Sequence, residues 1–133
     1  MVDRSSVDFS QYTAGNFPYD LRQPPSAGNA LGLVKFLFPN RWNIYLHDTP
    51  AKSLFQREVR AFSHGCIRLA EPFNFAYAVL SGQTTDPKGV FQSALATHRE
   101  SPIRINYDLP VHITYRTAFT SAKGRLAFRR DVY

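Results

Sequence analysis

The chain contains a single cysteine, Cys66, which constrains both the fold and the chemistry. One cysteine cannot close an internal disulfide, so 133 residues must be held together by one modest hydrophobic core. Ser63, His64 and Gly65 immediately precede the cysteine, and a second histidine, His47, lies upstream. A thiol attacks as the thiolate, and a nearby imidazole makes the thiolate accessible at neutral pH. This combination predicts covalent catalysis by Cys66.

The same residues allow other interpretations. A free cysteine is often an inert buried side chain, but the polar residues around Cys66 argue against a core position. Two histidines and one cysteine could also bind zinc, although structural zinc sites usually have four ligands with paired spacing, which this sequence lacks. A catalytic three-ligand zinc site stays open as an alternative. The sequence has no phosphate-binding loop or dinucleotide fingerprint, and we predict no cofactor and no metal.

Each residue near the cysteine has a candidate catalytic role. Either His47 or His64 could be the general base, because the residues alone do not separate them. The backbone N–H groups of Gly65 and Cys66 are candidates for an oxyanion hole, since glycine permits close approach of the backbone to a substrate. Ser63 could hydrogen-bond a histidine or cap a local turn.

Further candidates concern substrate binding and the orientation of the base. Arg68 could bind a substrate carboxylate or form an ion pair that fixes its loop. Tyr45 is a candidate for the lining of a cleft, with a core position as its alternative. Asp48 is a candidate for substrate contact, and either its carboxylate or a backbone carbonyl could orient His47.

Charge and hydrophobicity restrict the partners. The net charge of +6 favours anionic surroundings, but the basic residues are scattered and no stripe with interleaved aromatic residues marks a nucleic-acid site. We therefore predict no nucleic-acid partner. No apolar run is long enough for a stable membrane span, and the amino terminus has no visible signal peptide.

Periodicity predicts a mainly β fold with two helices, an α+β class. Apolar runs and two-residue alternation indicate strands, a Pro in the first turn begins each helix, and Lys123-Gly124 suits a hairpin turn. An antiparallel hairpin through Pro39–Trp42 is expected to join the first two strands. The predicted strands cover 33–38, 43–47, 103–107, 111–119 and 126–128, and the helices cover 72–80 and 87 to about 97.

The run Ser63-His64-Gly65-Cys66-Ile67-Arg68, with His47 upstream, resembles the signature of the YkuD-type L,D-transpeptidases. The resemblance extends over roughly Arg22 to Tyr133. Further matching stretches resemble the large branch of the family, which carries a lid over its active site. They are Asn29–Gly32, Val34–Phe36, Phe38–Asn40, His47–Pro50 and Arg60–Phe62.

This resemblance implies a YkuD-like β-sandwich and gives the general base to His47, with His64 auxiliary. It also implies L,D-transpeptidation of peptidoglycan stem peptides. Cys66 would release D-Ala from a tetrapeptide stem as a thioester forms, and an amine of a neighbouring stem would complete a 3→3 cross-link. A lipoprotein or water could replace that acceptor, as in an L,D-carboxypeptidase. A non-catalytic wall-binding fragment is the second hypothesis, and a basic nucleic-acid module has only the net charge behind it.

The resemblance also carries expectations about domain organisation. Residues 1–27 are expected to be an irregular lid or loop segment, and residues 28–133 the catalytic core. Members of the family carry further strands before the point where this chain begins, so we expect a piece of a longer protein of the cell envelope or periplasm. Without those strands, the chain is expected either to self-associate or to fold its first segment back. The apolar anchors available for the second arrangement are Val7, Phe9, Tyr12, Phe17 and Tyr19.

Overall fold

The computed structural model describes residues 2–63 and 65–132, which form a mixed α+β fold. Both α-helices have nine residues, whereas no strand in the described residues is longer than three. A mainly β sandwich therefore stays a prediction. The elements are 3₁₀ turns at Arg4–Ser6, Phe9–Gln11 and Lys52–Gln56, strands β1 (Lys35–Phe36), β2 (Leu46–His47), β3 (Ile67–Arg68), β4 (Ala118–Thr120) and β5 (Leu126–Phe128), and helices α1 (Pro72–Leu80) and α2 (Pro87–Leu95).

The central sheet has the order β1-β2-β3, with β1 and β2 antiparallel and β2 and β3 parallel. The antiparallel pairing of the first two predicted strands is confirmed. Both are shorter than predicted because the side chain of Asn40 replaces part of the ladder. Its Nδ2 donates to the carbonyl of Ile44 at 2.7 Å, and its Oδ1 accepts from the Ile44 N–H at 2.9 Å.

The hydrophobic core lies between the two helices and one face of this sheet. Ala76, Leu80 and Phe91 are its buried members. Phe91 contacts the ring of Phe73 with centroids 5.1 Å apart, and Phe36 of β1 contacts Phe75 of α1 at 4.8 Å. The face of the sheet that carries Phe36 thus packs on α1, and its opposite face is turned away from the helices.

Both helices begin where the sequence predicts. Pro72 and Pro87 occupy the first turns, and the side chain of Asp86 accepts a hydrogen bond from the Gly89 N–H at 2.8 Å, as an N-cap does. The second helix ends at Leu95, slightly before the predicted end near Thr97.

The strand predicted over 103–107 is absent because its backbone has a different partner. The side chain of Gln83 donates to the Arg104 carbonyl at 3.1 Å and accepts from the Asn106 N–H at 3.0 Å. Tyr107 instead donates its hydroxyl to the Val79 carbonyl at 2.6 Å. The segment is therefore attached to the end of α1, and that strand prediction is wrong.

The strand predicted over 111–119 is formed only at its end, from Ala118. Ile113 and Tyr115 are both 54% exposed, so the alternating residues before Ala118 have no buried face to hold them in register. The strand β4 pairs with β5 across a turn at Gly124, whose φ of 73° suits glycine. The predicted β5 strand and its hairpin turn are confirmed.

Residues 2–27 contain little regular structure. Side chains of Asp3 and Asp8 cap two short 3₁₀ turns, and the rings of Tyr12 and Phe17 pack edge to face with centroids 5.6 Å apart. A lid function of this segment stays a prediction. In the part of the chain that the structure describes, no helix is both long and apolar enough to cross a membrane.

Candidate active site

The register of the central sheet places the candidate residues on one face. Leu46 pairs with Ile67, so Tyr45 and Cys66, which precede them, lie side by side, and the Ile67 N–H donates to the Tyr45 carbonyl at 3.0 Å. His47 pairs with Arg68 on one side and with Lys35 on the other. Because paired residues share a face, the face opposite the core carries Lys35, Tyr45, His47, Cys66 and Arg68.

Cys66 is half-buried and lies in the wall of a cavity of about 590 Å³. Its sulfur is 4.0 Å from the carbonyl oxygen of Asn43, a residue with a φ of 52° in the loop that Asn40 organises. Cys66 is therefore held beside this loop and lines the cavity. The described residues that line this cavity are Leu54, Phe55, Arg60, Ala61, Phe62, Ser63, Gly65, Cys66, Ile67 and Arg68.

His47 is only 5% exposed and ends the central strand β2. Its Nδ1 contacts the backbone carbonyl of Asp48, which favours a proton on Nδ1 and a free lone pair on Nε2. Of the two orienting groups that the sequence left open, the backbone carbonyl is the one in contact. The described residues show no hydrogen bond between the His47 ring and Cys66, although the two side chains share a face of the sheet.

Tyr45 lies beside Cys66 and interacts with it electrostatically. Burial raises the pKa of the Tyr45 hydroxyl, and the charge of Cys66 and a hydrogen bond with it raise that pKa further, whereas Lys35 opposes the shift. The ring of Tyr45 also lies 5.9 Å from that of His47. A protonated hydroxyl is thus held beside the sulfur. The sequence placed Tyr45 in the cleft, but its contact with Cys66 follows from a strand register that the sequence does not reveal.

Asp48 is buried and engaged by the surrounding backbone and by Lys52. One carboxylate oxygen accepts from the Leu33 N–H at 3.0 Å, and the other lies 2.7 Å from the Lys52 ammonium. Burial raises the pKa of this carboxyl, but the hydrogen bonds from Lys52, Leu33 and Thr49 outweigh burial and hold the pKa below its ordinary value. These contacts indicate that the Asp48 carboxylate stabilises the fold. They do not support the predicted substrate contact of Asp48, which stays a prediction.

Ser63 shapes the turn before Cys66. Its Oγ donates to the Cys66 carbonyl at 2.7 Å and accepts from the Gly65 N–H at 3.4 Å, which fits the local turn cap that the sequence left open. The Cys66 N–H has no acceptor among the described residues, and its predicted place in an oxyanion hole stays a prediction. His64 lies outside the described residues, and its auxiliary role stays a prediction.

Arg68, in β3, lines the same cavity as Cys66. It forms no ion pair with any described residue, so the ion pair considered as its alternative role has no described partner. In contrast, the Lys35 ammonium on the other side of His47 is 2.8 Å from the Glu100 carboxylate.

Comparison with known proteins identifies the family. A model of the L,D-transpeptidase catalytic domain, YkuD, matches residues 3–105. This chain belongs to the YkuD family. The match begins earlier than the resemblance predicted from the sequence, which started near Arg22, and it ends well before Tyr133.

A protein of Haemophilus influenzae is similar along the whole chain. It is 36% identical over 135 residues and is named "Putative L,D-transpeptidase". The alignment covers 100% of this chain and 26% of that relative, so the chain spans about a quarter of the relative's length.

In chemical terms, the described face combines a cysteine thiol, an imidazole held by a carbonyl, a phenol hydroxyl and a guanidinium. This set suits nucleophilic acyl transfer. Residues 2–63 and 65–132 contain no cluster of three or more His, Cys, Asp or Glu side chains that could hold a metal ion. A zinc site that includes His64 lies outside this test.

Proposed function

We propose that the chain carries the active site of a cysteine-dependent L,D-transpeptidase that acts on peptidoglycan tetrapeptide stems. The observation behind this proposal is the position of Cys66, in a cavity wall and on the same sheet face as His47, in a chain of the YkuD family. The inert buried cysteine is disfavoured, since Cys66 is only half-buried and lines the cavity.

The first half of the reaction transfers the acyl group to the enzyme. His47 takes the proton of the Cys66 thiol at Nε2, and the thiolate attacks the carbonyl carbon between the diamino acid and the terminal D-Ala. The tetrahedral oxyanion accepts hydrogen bonds from the Cys66 N–H and, once Gly65 turns from the long contact with Ser63, from the Gly65 N–H. The C–N bond then breaks, D-Ala leaves with a proton from His47, and a thioester remains.

The second half releases the acyl group to an amine. The side-chain amine of a neighbouring stem loses a proton to His47 and attacks the thioester carbonyl. The C–S bond then breaks, the Cys66 thiolate takes the proton back from His47, and the new amide completes a 3→3 cross-link. A lipoprotein amine or water could replace this acceptor with the same intermediate. Arg68 supports the donor complex because a guanidinium binds a carboxylate in a planar, two-pronged contact.

The remaining features of the proposal follow from the family. We place the domain in the cell envelope or periplasm, with residues 1–27 as a lid and residues 28–133 as the core of a mainly β sandwich of the large, lid-bearing branch.

The test uses a carbapenem, a β-lactam that mimics the acyl donor. Intact-mass spectrometry of the wild-type protein should show one covalent adduct, which peptide mapping should place on Cys66. Cys66→Ser should show none on the same timescale, because a serine hydroxyl is a far poorer nucleophile in a site built for a thiol. An equal adduct on the serine variant would refute the assignment.

A further inference from the structure

The cavity at Cys66 has an uncompensated positive charge. Arg60 and Arg68 both line it, and no carboxylate is among the described residues of its wall. An adjoining cavity of about 520 Å³ shares Leu54 and Phe62 with the first and has Arg57 and Glu58 in its wall. The cavity that contains Cys66 therefore has two unbalanced arginines in its wall, whereas the adjoining cavity has one arginine and one glutamate.

Arg60 is held in a defined position. Its Nε donates to the Arg57 carbonyl at 2.8 Å, and its terminal nitrogens have no partner among the described residues. The backbone of Arg68 is also held in place, because Arg68 belongs to strand β3 and pairs with His47. One guanidinium comes from the loop before the nucleophile and the other from the strand after it.

The two lysines near the sheet, unlike Arg60 and Arg68, have carboxylate partners. Lys35 is 2.8 Å from Glu100, and Lys52 is 2.7 Å from Asp48. Each therefore has an ion-pair partner within this chain, although Glu100 is shared with Arg22. Arg60 and Arg68 have no such partner among the described residues, so a ligand is the available source of negative charge.

We propose that Arg60 and Arg68 form a clamp that selects acyl donors with free internal carboxylates over donors in which these groups are carboxamides. The inference rests on the proposed function, since it names the chemical class of the donor at that site. A carboxylate accepts two charge-assisted hydrogen bonds from a guanidinium. A carboxamide has one acceptor oxygen and no charge, and its NH₂ group would face the guanidinium donors.

The test measures binding to the protein with Cys66→Ala, so that no chemistry intervenes. Calorimetry compares two synthetic tetrapeptide stems that differ only in their internal carboxyl groups, free acids in one and carboxamides in the other. The free acid should bind about tenfold more tightly or better, which corresponds to one good charged contact. Arg68→Gln and Arg60→Gln, each added to this background, should reduce the preference, and Arg68→Gln should reduce it more because Arg60 is exposed.

Arg125→Gln is the matched control, since it removes the same charge from the turn before β5, away from the cavity. It should leave the preference unchanged. Equal affinity for the two peptides, no binding of either, or an equal effect of Arg125→Gln would overturn the clamp. If Arg68→Gln does not fold, as judged by thermal melting, the comparison of Arg60→Gln with Arg125→Gln decides.

Failure of the proposed function has a different signature. In that case, the wild-type protein would release no D-Ala from either peptide and form no carbapenem adduct, while a preference in binding to the Cys66→Ala protein would persist.

Discussion

At the scale of single residues, the site depends on which side chains share a face of a three-stranded sheet. His47 is predicted from the sequence as the end of a strand, and the structure places it there, buried and held by the Asp48 carbonyl. The contact of Tyr45 with Cys66 was not predicted, because it depends on the pairing of Leu46 with Ile67. Local spacing gives the face of a strand, whereas register between distant strands is set by tertiary packing.

The role of His47 can be measured by substitution. His47→Ala should lower the rate of carbapenem acylation by about 10²–10⁴-fold, the usual contribution of a general base. His64→Ala should lower it less. Stopped-flow measurements test the order, with His112→Ala as the control, because His112 is an exposed residue of the segment before β4. If His64→Ala has the larger effect, the two roles must be exchanged.

At the scale of elements, Asp48 connects β2 to its surroundings. Its carboxylate accepts from the Leu33 N–H before β1, and Lys52, its ion-pair partner, also donates to the Leu69 and Ala70 carbonyls after β3. Directly and through Lys52, one buried carboxylate thus connects segments flanking all three strands. A carboxylate that only bound substrate would not need these internal contacts.

Gly32 is required by this arrangement. Its φ is 63°, and a Cβ there would overlap the Asp48 carboxylate. Gly32→Ala should therefore lower the free energy of unfolding by at least about 1–2 kcal/mol, the cost of a left-handed conformation for a residue with a Cβ. Chemical denaturation measures the loss. Gly15→Ala is the control, because no atom lies within 4 Å of its added methyl group, and an equal loss in both variants would contradict the prediction.

The lowered pKa of Asp48 predicts a pH dependence of stability. A carboxyl whose pKa is lower in the folded state stabilises the fold above its ordinary value of 3.8, and this contribution is lost as the pH falls through the folded pKa. Asp48→Asn should lower the free energy of unfolding by about 1–3 kcal/mol at neutral pH. The difference in unfolding free energy between Asp48→Asn and the wild type should become smaller as the pH falls below 3.8.

Urea denaturation at several pH values checks the dependence on Asp48. Asp108→Asn, at an exposed position after the core elements, removes the same charge and should leave the stability curve nearly unchanged. A difference between Asp48→Asn and wild type that stays constant down to the acid limit would show that the ion pair with Lys52 does not stabilise the fold.

Secondary-structure elements that depend on neighbouring residues are predicted correctly, and those that depend on distant residues are not. Both helix starts are predicted correctly because Pro in the first turn and an Asp cap act within a few residues. The strand over 103–107 is wrongly predicted because the side chain of Gln83, distant in sequence, takes its backbone hydrogen bonds. Apolar alternation over 111–117 fails for a related reason, since alternation defines a strand only where another surface covers one side.

At the scale of the whole molecule, the buried apolar core of the described residues is small. It contains Ala76, Leu80 and Phe91, and many large apolar side chains elsewhere are exposed. On the β4–β5 hairpin, Leu126 is 64% and Phe128 is 69% exposed. An exposed strand with apolar residues is a site for pairing with another chain. The expectation of self-association therefore has a defined surface on which it can be tested.

We expect the isolated chain to associate in a concentration-dependent manner, through the apolar side of the β4–β5 hairpin. The double variant Leu126→Thr and Phe128→Thr should weaken association, because threonine keeps the strand propensity and removes most of the apolar surface. Sedimentation velocity over a range of concentrations measures the change. Leu21→Thr is the control, since Leu21 is 79% exposed but belongs to the first segment. A monomer at all concentrations would rule out self-association, and equal weakening by Leu21→Thr would place the contact outside the hairpin.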